Sequence, residues 1–173
     1  MKPVISIGNQ DFRSIRENHN FYVDKSDFIR EWWENQKYRA LQGSYPVIFL
    51  SFASVKGETY PEAREGIIQI ILDLYTKYDY LRLSDKLSEK EKAYFDFIKS
   101  DMSNTIAAMS LHRLALCMNR YYGKKVLILL DEYDTPLQEA YVRGYWNELT
   151  SFMSNLFNVM LHLKQIHTWN VVF

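Results

Sequence analysis

Two adjacent acids, Asp131 and Glu132, directly follow an apolar run at residues 126–130 and give the sequence its clearest chemical signal. In nucleotide hydrolases, a strand that ends in this way brings the first carboxylate to the water shell of Mg²⁺. The second carboxylate can polarise the water molecule that attacks the γ-phosphate. This interpretation makes Asp131 a metal-binding residue, Glu132 a catalytic residue and Asp134 a further candidate metal ligand. The pattern also fits a buried strand whose polar end simply leaves the core.

A phosphate-binding loop of the form G-x-x-x-x-G-K-[ST] should accompany such acids in a nucleotide hydrolase. The sequence has six glycines, and only Gly123 is followed by a lysine. The residue after Lys124 is Lys125 rather than Ser or Thr, and the apolar run follows this segment instead of preceding it. The sequence therefore lacks the loop whose backbone N–H groups would hold the γ-phosphate.

Two continuous apolar runs predict the strands that would position the acids, near residues 47–52 and 126–130. Unbroken apolar runs are typical of parallel strands that are covered on both faces. Capping boxes at Thr59-x-x-Glu62 and Ser88-x-x-Glu91 begin two of the helices predicted around these strands. The fold class is therefore α/β, with two parallel strands covered by several helices and both acids at one edge of the sheet. Two strands are few for so many helices, which indicates an incomplete sheet.

Composition limits the classes of function. The length of 173 residues suits one domain. The 21 basic residues balance 21 acidic ones, so the protein has no net charge that would attract nucleic acid or an anionic membrane. The single cysteine, Cys117, excludes an internal disulfide, and the histidines lack zinc-ligand spacing. No run approaches the roughly 18 apolar residues of a membrane span. These features predict a cytoplasmic protein.

Several longer segments resemble the bacterial predicted AAA-ATPase-like proteins, which are often fused to a C-terminal PD-(D/E)XK-type nuclease domain. The resemblance covers residues 5–163 and rests on the segments Ile7-Gly8-x-x-Asp11-Phe12-x-x-Ile15-Arg16, Tyr22-Val23-Asp24-Lys25-Ser26, residues 45–52 and residues 123–137. It implies a P-loop NTPase-like fold that uses ATP and Mg²⁺, with Asp131 and Glu132 as the Walker B acids. It also implies that the N-terminal segment, including Asp24 and Lys25, lies at the edge of the nucleotide.

The sequence departs from this family in two places. The family's Walker A strand and loop lie between the helix of Trp32-Trp33 and the strand that begins near Tyr45-Pro46, where this sequence runs directly from Trp33-Glu34-Asn35 into residues 36–39. A deletion between short repeats explains that gap. Residues 164–173 can be encoded by a DNA sequence that, read in a shifted frame, gives a family-like amino-acid sequence. Tryptophan has a single codon, and that codon at Trp169 agrees with the shifted reading. We therefore expect a truncated AAA-ATPase-like domain at residues 1–163 and a frameshifted tail at residues 164–173.

These departures predict a remnant that hydrolyses no ATP and binds neither ATP nor Mg²⁺. The alternative is a protein-interaction or oligomerisation module without a nucleotide role. In that case apolar surface left exposed by the deletions would pair with a second copy or with another, unidentified partner.

Overall fold

A computed structural model describes residues 11–20, 26–162 and 169–172. For residues 12, 160–162 and 169–172 it describes the backbone alone. The chain divides into two compact units, Met1–Ser44 and Tyr45–Phe173, and each is described by itself.

The described part of the Met1–Ser44 unit is helical. Its elements are α1 (Phe12–Glu17), α2 (Ser26–Glu34) and α3 (Gln36–Arg39). The side chain of Asp11 caps α1 by accepting a hydrogen bond from the backbone N–H of Arg13 at 3.0 Å. Asn35 caps α3 in the same way, through the N–H of Lys37. Such caps satisfy backbone donors that a helix leaves unpaired at its N-terminus, which lets two short helices form.

The Tyr45–Phe173 unit has α/β architecture, as predicted. Its strands and helices, in chain order, are β1 (Val47–Ser51), α4 (Tyr60–Lys77), α5 (Glu89–Tyr94), α6 (Asn104–Tyr122), β2 (Val126–Asp131), α7 (Thr135–Arg143), α8 (Trp146–His162) and β3 (Trp169–Val172), with short 3₁₀ turns at Asp79–Leu83 and Phe95–Phe97.

Of the two predicted capping boxes, one forms as expected. Ser88 and Glu91 exchange both hydrogen bonds at the start of α5. The box at Thr59 is wrong, because the Thr59 side chain makes no capping bond. The Glu62 carboxylate instead accepts a hydrogen bond from the N–H of Glu58 at 2.8 Å, one residue before the expected donor. Glu62 therefore holds the loop that enters α4.

The sheet is parallel, in the order β1-β2-β3. Strands β1 and β2 pair in a register that sets Val47 opposite Leu127 and Ser51 opposite Asp131. This pairing confirms the predicted parallel arrangement. Strand β3 comes from the last residues of the chain and pairs with the other edge of β2. The sequence leaves open whether the segment at residues 169–173 enters the sheet, and residues 169–172 do so.

The core lies between one face of the sheet and the inner faces of α4, α6 and α8. Ile48, Leu50 and Ile128 supply the sheet's contribution and are almost completely buried. The opposite face is less covered, because the Phe49 side chain on it is 52% exposed. The expectation that both faces of the strands are covered is therefore wrong for β1. Burial alternates along β1 even though its sequence does not, so an unbroken apolar run here does not require two covering layers.

One polar side chain in this core has no partner. Both ring nitrogens of His112, on α6, are buried without a hydrogen bond, and they are the only such side-chain atoms in the described part of the chain. Burial, and to a smaller extent the neighbouring Arg113, lower the pKa of the His112 imidazole below its usual value. His112 is therefore neutral in the folded protein near pH 7.

The loop between β1 and α4 is packed so closely that Gly57 has no room for a side chain. A Cβ atom on Gly57 would lie 2.5 Å from the backbone nitrogen of Ala63, in the first turn of α4. We expect Gly57→Ala to lower the free energy of unfolding by about 1–3 kcal/mol, because backbone atoms must move to admit the methyl group. Urea denaturation measures the change.

Gly66→Ala is the matched control. A Cβ at Gly66 meets the Val55 side chain at 3.5 Å, which is an ordinary contact, and Gly66 lies inside α4. Because alanine is the better helix former, this variant should be more stable by about 0.5–1 kcal/mol. Equal effects of the two substitutions would contradict the close packing of Gly57 against α4.

The buried imidazole of His112 predicts a pH dependence of stability. Below a pH of about 6.5, the unfolded chain binds a proton at His112 that the folded chain does not bind, so the free energy of unfolding falls until the pH reaches the lowered pKa of the folded state. Relative to His112→Leu, the wild type should lose up to about 1.4 kcal/mol per pH unit in this window. Denaturation at pH 7, 6 and 5 compares the two, and parallel curves would contradict the neutral, buried imidazole.

Candidate site at the carboxyl end of strand β2

Asp131 is the last residue of β2 and lies opposite Ser51, the last residue of β1. The Ser51 hydroxyl donates a hydrogen bond to Oδ2 of Asp131 at 3.1 Å. The backbone N–H of Phe52 donates to the Asp131 carbonyl oxygen at 2.9 Å, which extends the ladder by one bond. Asp131 is exposed, and its position in the register places it on the less covered face of the sheet. Its carboxylate therefore joins the ends of two strands.

Glu132 forms the turn that leads from β2 into α7. Its backbone has φ of +52°, in the left-handed region that a residue with a side chain adopts at a cost. The Thr135 hydroxyl donates to Oε2 of Glu132 at 3.1 Å, and the Thr135 N–H donates to the Glu132 carbonyl oxygen at 3.1 Å. These two bonds hold the turn in its strained conformation. The Glu132 carboxylate therefore accepts a hydrogen bond from within the turn that Glu132 begins.

Asp134 also contacts its own helix. It is the N-cap residue of α7 but makes no side-chain capping bond, and its Oδ2 accepts a hydrogen bond from Nε2 of Gln138 at 2.7 Å. The structure thus brings Asp131, Glu132 and Asp134 to one edge of the sheet and gives each carboxylate a separate partner.

The carboxylates at this edge would not complete a magnesium–nucleotide site by themselves. Mg²⁺ requires a near-octahedral shell of oxygen atoms, usually shared between carboxylates, waters and substrate phosphates. Asp131, Glu132 and Asp134 could supply carboxylate oxygens, and no group of three or more His, Cys, Asp or Glu side chains suited to a metal occurs among the described residues. The sequence has no G-x-x-x-x-G-K-[ST] segment that would supply the phosphate contacts.

The chain between α2 and β1 is helix and turn. In the family that the sequence resembles, a strand and a phosphate-binding loop occupy this place, which we expect this chain to lack; here residues 36–39 form α3 and Gly43 forms a turn with φ of +67°. The Ser44 hydroxyl donates to the Leu41 carbonyl oxygen at 2.7 Å and closes this turn. Within the continuously described stretch from residue 26 to residue 162, no strand lies between α2 and β1.

A tyrosine that the sequence analysis missed fixes the loop beside the acids. The hydroxyl of Tyr145, at the start of α8, is buried and donates to the Gly57 carbonyl oxygen at 2.6 Å. The loop after β1 is therefore held between the first turn of α4 and the start of α8. Ser51, Thr135 and Gln138 were also missed as partners of the acids. Ser51 had a signal in the sequence, because it lies near the end of the strand predicted beside β2. Thr135 and Gln138 also had one, because Thr135-x-x-Gln138 has the form of a capping box.

The other candidate residues give no second site. Asp24 and Lys25 lie outside the described residues, so their predicted position at a nucleotide edge stays a prediction. Burial raises the pKa of the Cys117 thiol to about 11, which keeps the thiol protonated and unreactive. None of the helices in the described part of the chain is long and apolar enough to cross a bilayer. The cytoplasmic location stays a prediction.

The strained backbone of Glu132 allows a test of what the turn requires. Glu132→Gly and Glu132→Ala both remove the carboxylate and its bond to Thr135, but only alanine keeps a Cβ atom in the left-handed conformation. We expect Glu132→Gly to be more stable than Glu132→Ala by about 1 kcal/mol, measured by urea denaturation. If alanine were equally or better tolerated, the turn would not hold residue 132 at positive φ.

Comparison with known proteins supplies the family. The comparisons with curated proteins and with solved structures gave no significant match. A family model described as Predicted AAA-ATPase matches residues 33–173, more than half of the chain. The match includes both paired strands and the three acids, and it leaves out Asp24 and Lys25. It extends through residues 164–173, and the prediction that these form a frameshifted tail stays a prediction. The chain therefore belongs to the predicted AAA-ATPase family.

Proposed function

We propose that this chain is an AAA-ATPase-like domain that does not hydrolyse ATP, and that Asp131 and Glu132 are former Walker B acids that now stabilise the end of β2. The observation that carries this proposal is the set of local hydrogen bonds from Ser51 and Thr135 to the two carboxylates. Each bond joins an acid to a neighbouring strand or helix, which is a structural role that needs no ligand.

The electrostatics at this edge also support the proposal. Asp131, Glu132 and Asp134 lie within four residues and are all exposed. A triphosphate brought to them would be repelled unless cations lay between the two groups. Lys124 and Lys125 precede β2, and the five strand residues between Lys125 and Asp131 place these two residues about 20 Å apart. That separation exceeds the Debye length of about 8 Å at physiological ionic strength, so these lysines do not offset the repulsion.

The second support is the chain between α2 and β1. A phosphate cradle needs successive backbone N–H groups that converge on one point at the start of a helix. Here the N-terminus of α3 is capped by its own Asn35, and α3 is only one turn long. This segment therefore supplies no substitute for the cradle, and catalysis of phosphoryl transfer depends on such positioning.

Titration with Mg-ATP and thermal melting test the proposal together. A ligand that binds only the folded state stabilises it by RT ln(1 + [L]/Kd) and so raises the melting temperature as its concentration increases, which means that a retained site would be detected by both measurements. We expect no binding heat at up to millimolar Mg-ATP and no Mg²⁺-dependent rise in melting temperature. Phosphate release should be the same in the wild type and in Asp131→Asn.

Asp101→Asn is the control, because Asp101 is an exposed carboxylate on a different loop. A melting temperature that rises by several degrees at millimolar Mg²⁺, and no longer rises in Asp131→Asn while Asp101→Asn behaves like the wild type, would contradict the proposal. ATP hydrolysis that depends on Glu132 would contradict it as well.

A further inference from the structure

Within the Met1–Ser44 unit, the described residues leave most of one apolar face of helix α2 exposed. Phe28, Ile29, Trp32 and Trp33 recur at the spacing that places side chains on one side of a helix, and no residue of α2 is buried. Phe28 is 73% exposed and Trp33 is 60% exposed. A contiguous face of large apolar side chains on a folded protein is typical of an interaction site.

The same helix forms one wall of a groove. Helices α2 and α3 and the turn after them enclose about 430 Å³, lined by Phe28, Trp32, Tyr38 and Leu41 with Glu31 and Gln42 at the rim. This volume lies within the range of pockets that take in a large organic group. Trp33 does not line the groove but lies beside it on α2. The guanidinium carbon of Arg39 lies 5.0 Å from the centre of the Trp33 ring. One surface therefore carries both a projecting aromatic ring and an aromatic-lined groove.

We propose that this surface binds a second copy of the same chain across a twofold axis, with Trp33 of each copy in the groove of the other. A twofold interface brings one patch against itself, so a projection and a groove on the same patch each find their counterpart, and both contacts form twice. Tryptophan seated in an apolar pocket is the commonest kind of residue to dominate such an interface.

The exposed area is sufficient for this contact. Phe28, Ile29, Trp33, Tyr38 and Leu41 are between 51% and 73% exposed. With aromatic side chains that bury 150–250 Å² each, the patch amounts to about 600 Å² per copy and about 1,200 Å² for the pair. That total reaches the lower end of stable protein–protein interfaces and exceeds most crystal-packing contacts.

The charges around the patch favour a protein partner in an antiparallel orientation. Asp27 lies in the first turn of α2, where it also pairs with Arg30 at 2.8 Å, whereas Lys37 and Arg39 lie beyond the other end of the helix, on α3. Antiparallel helices would bring Asp27 of each copy toward Lys37 and Arg39 of the other. An anionic membrane is a poor alternative, since α2 carries three acids against one arginine, whereas membrane-binding helices are rich in lysine and arginine.

Sedimentation velocity on the full chain at about 1–100 μM tests the proposal. We expect the wild type to form dimers with increasing concentration and Trp33→Ala to dissociate several hundredfold more readily or more, because the substitution truncates a central tryptophan in both copies and each truncation costs at least about 2 kcal/mol. Tyr141→Ala is the matched control, since Tyr141 is 75% exposed but lies in the Tyr45–Phe173 unit, and it should dimerise like the wild type. Trp33→Phe keeps a ring and should dissociate less readily than Trp33→Ala.

Three results would overturn the proposal. A wild type that stays monomeric throughout the concentration range would show that no second copy binds, or that the chain's own residues cover the patch. Dimers that persist unchanged in Trp33→Ala, or that dissociate equally in Tyr141→Ala, would place the interface elsewhere. Assemblies that keep growing with concentration would exclude a closed twofold contact. The nucleotide measurements on Asp131→Asn are independent of all three, so failure of this proposal leaves the proposed function intact.

Discussion

The parallel pairing of β1 with β2 is the constraint on which the rest of the Tyr45–Phe173 unit depends. Its register sets Ser51 opposite Asp131, so both strands end at the same level. The Asp131 carboxylate can therefore accept a hydrogen bond from the Ser51 hydroxyl. The alternating side chains of the two strands then direct Ile48, Leu50 and Ile128 toward the helices. A shift of one residue would exchange the two faces and expose this core.

The edge at which the strands end is held by contacts from several directions. The loop after β1 packs against the first turn of α4 at Gly57 and is bonded by the buried hydroxyl of Tyr145. On the other strand, Glu132 adopts a left-handed backbone conformation that Thr135 stabilises. Residues with a strained backbone conformation often occur at functional sites, because binding a ligand can require a geometry that costs free energy to maintain. The proposed descent of Glu132 from a Walker B acid would account for this strain.

The fold and the proposed loss of ATP hydrolysis depend on different parts of the molecule. Fold stability rests on apolar burial between the sheet and α4, α6 and α8. Catalysis rests on the positioning of phosphate oxygens, for which Asp131 and Glu132 alone are insufficient. Under the proposed function, the domain therefore keeps its fold without hydrolysing ATP, and the proposed contact through α2 depends on separate residues.

The sequence by itself determined strands β1 and β2, their parallel pairing and the position of the acids after β2, because apolar runs and the termini of helices depend on local residue types. Tertiary structure alone decided which donors meet those acids, since Ser51 and Asp131 are 80 residues apart and only the strand register brings them together. It also decided that Thr59 makes no cap, that Phe49 lies exposed and that His112 lies buried without a partner. Each of those outcomes depends on how neighbouring elements pack around a side chain, and no local pattern records that packing.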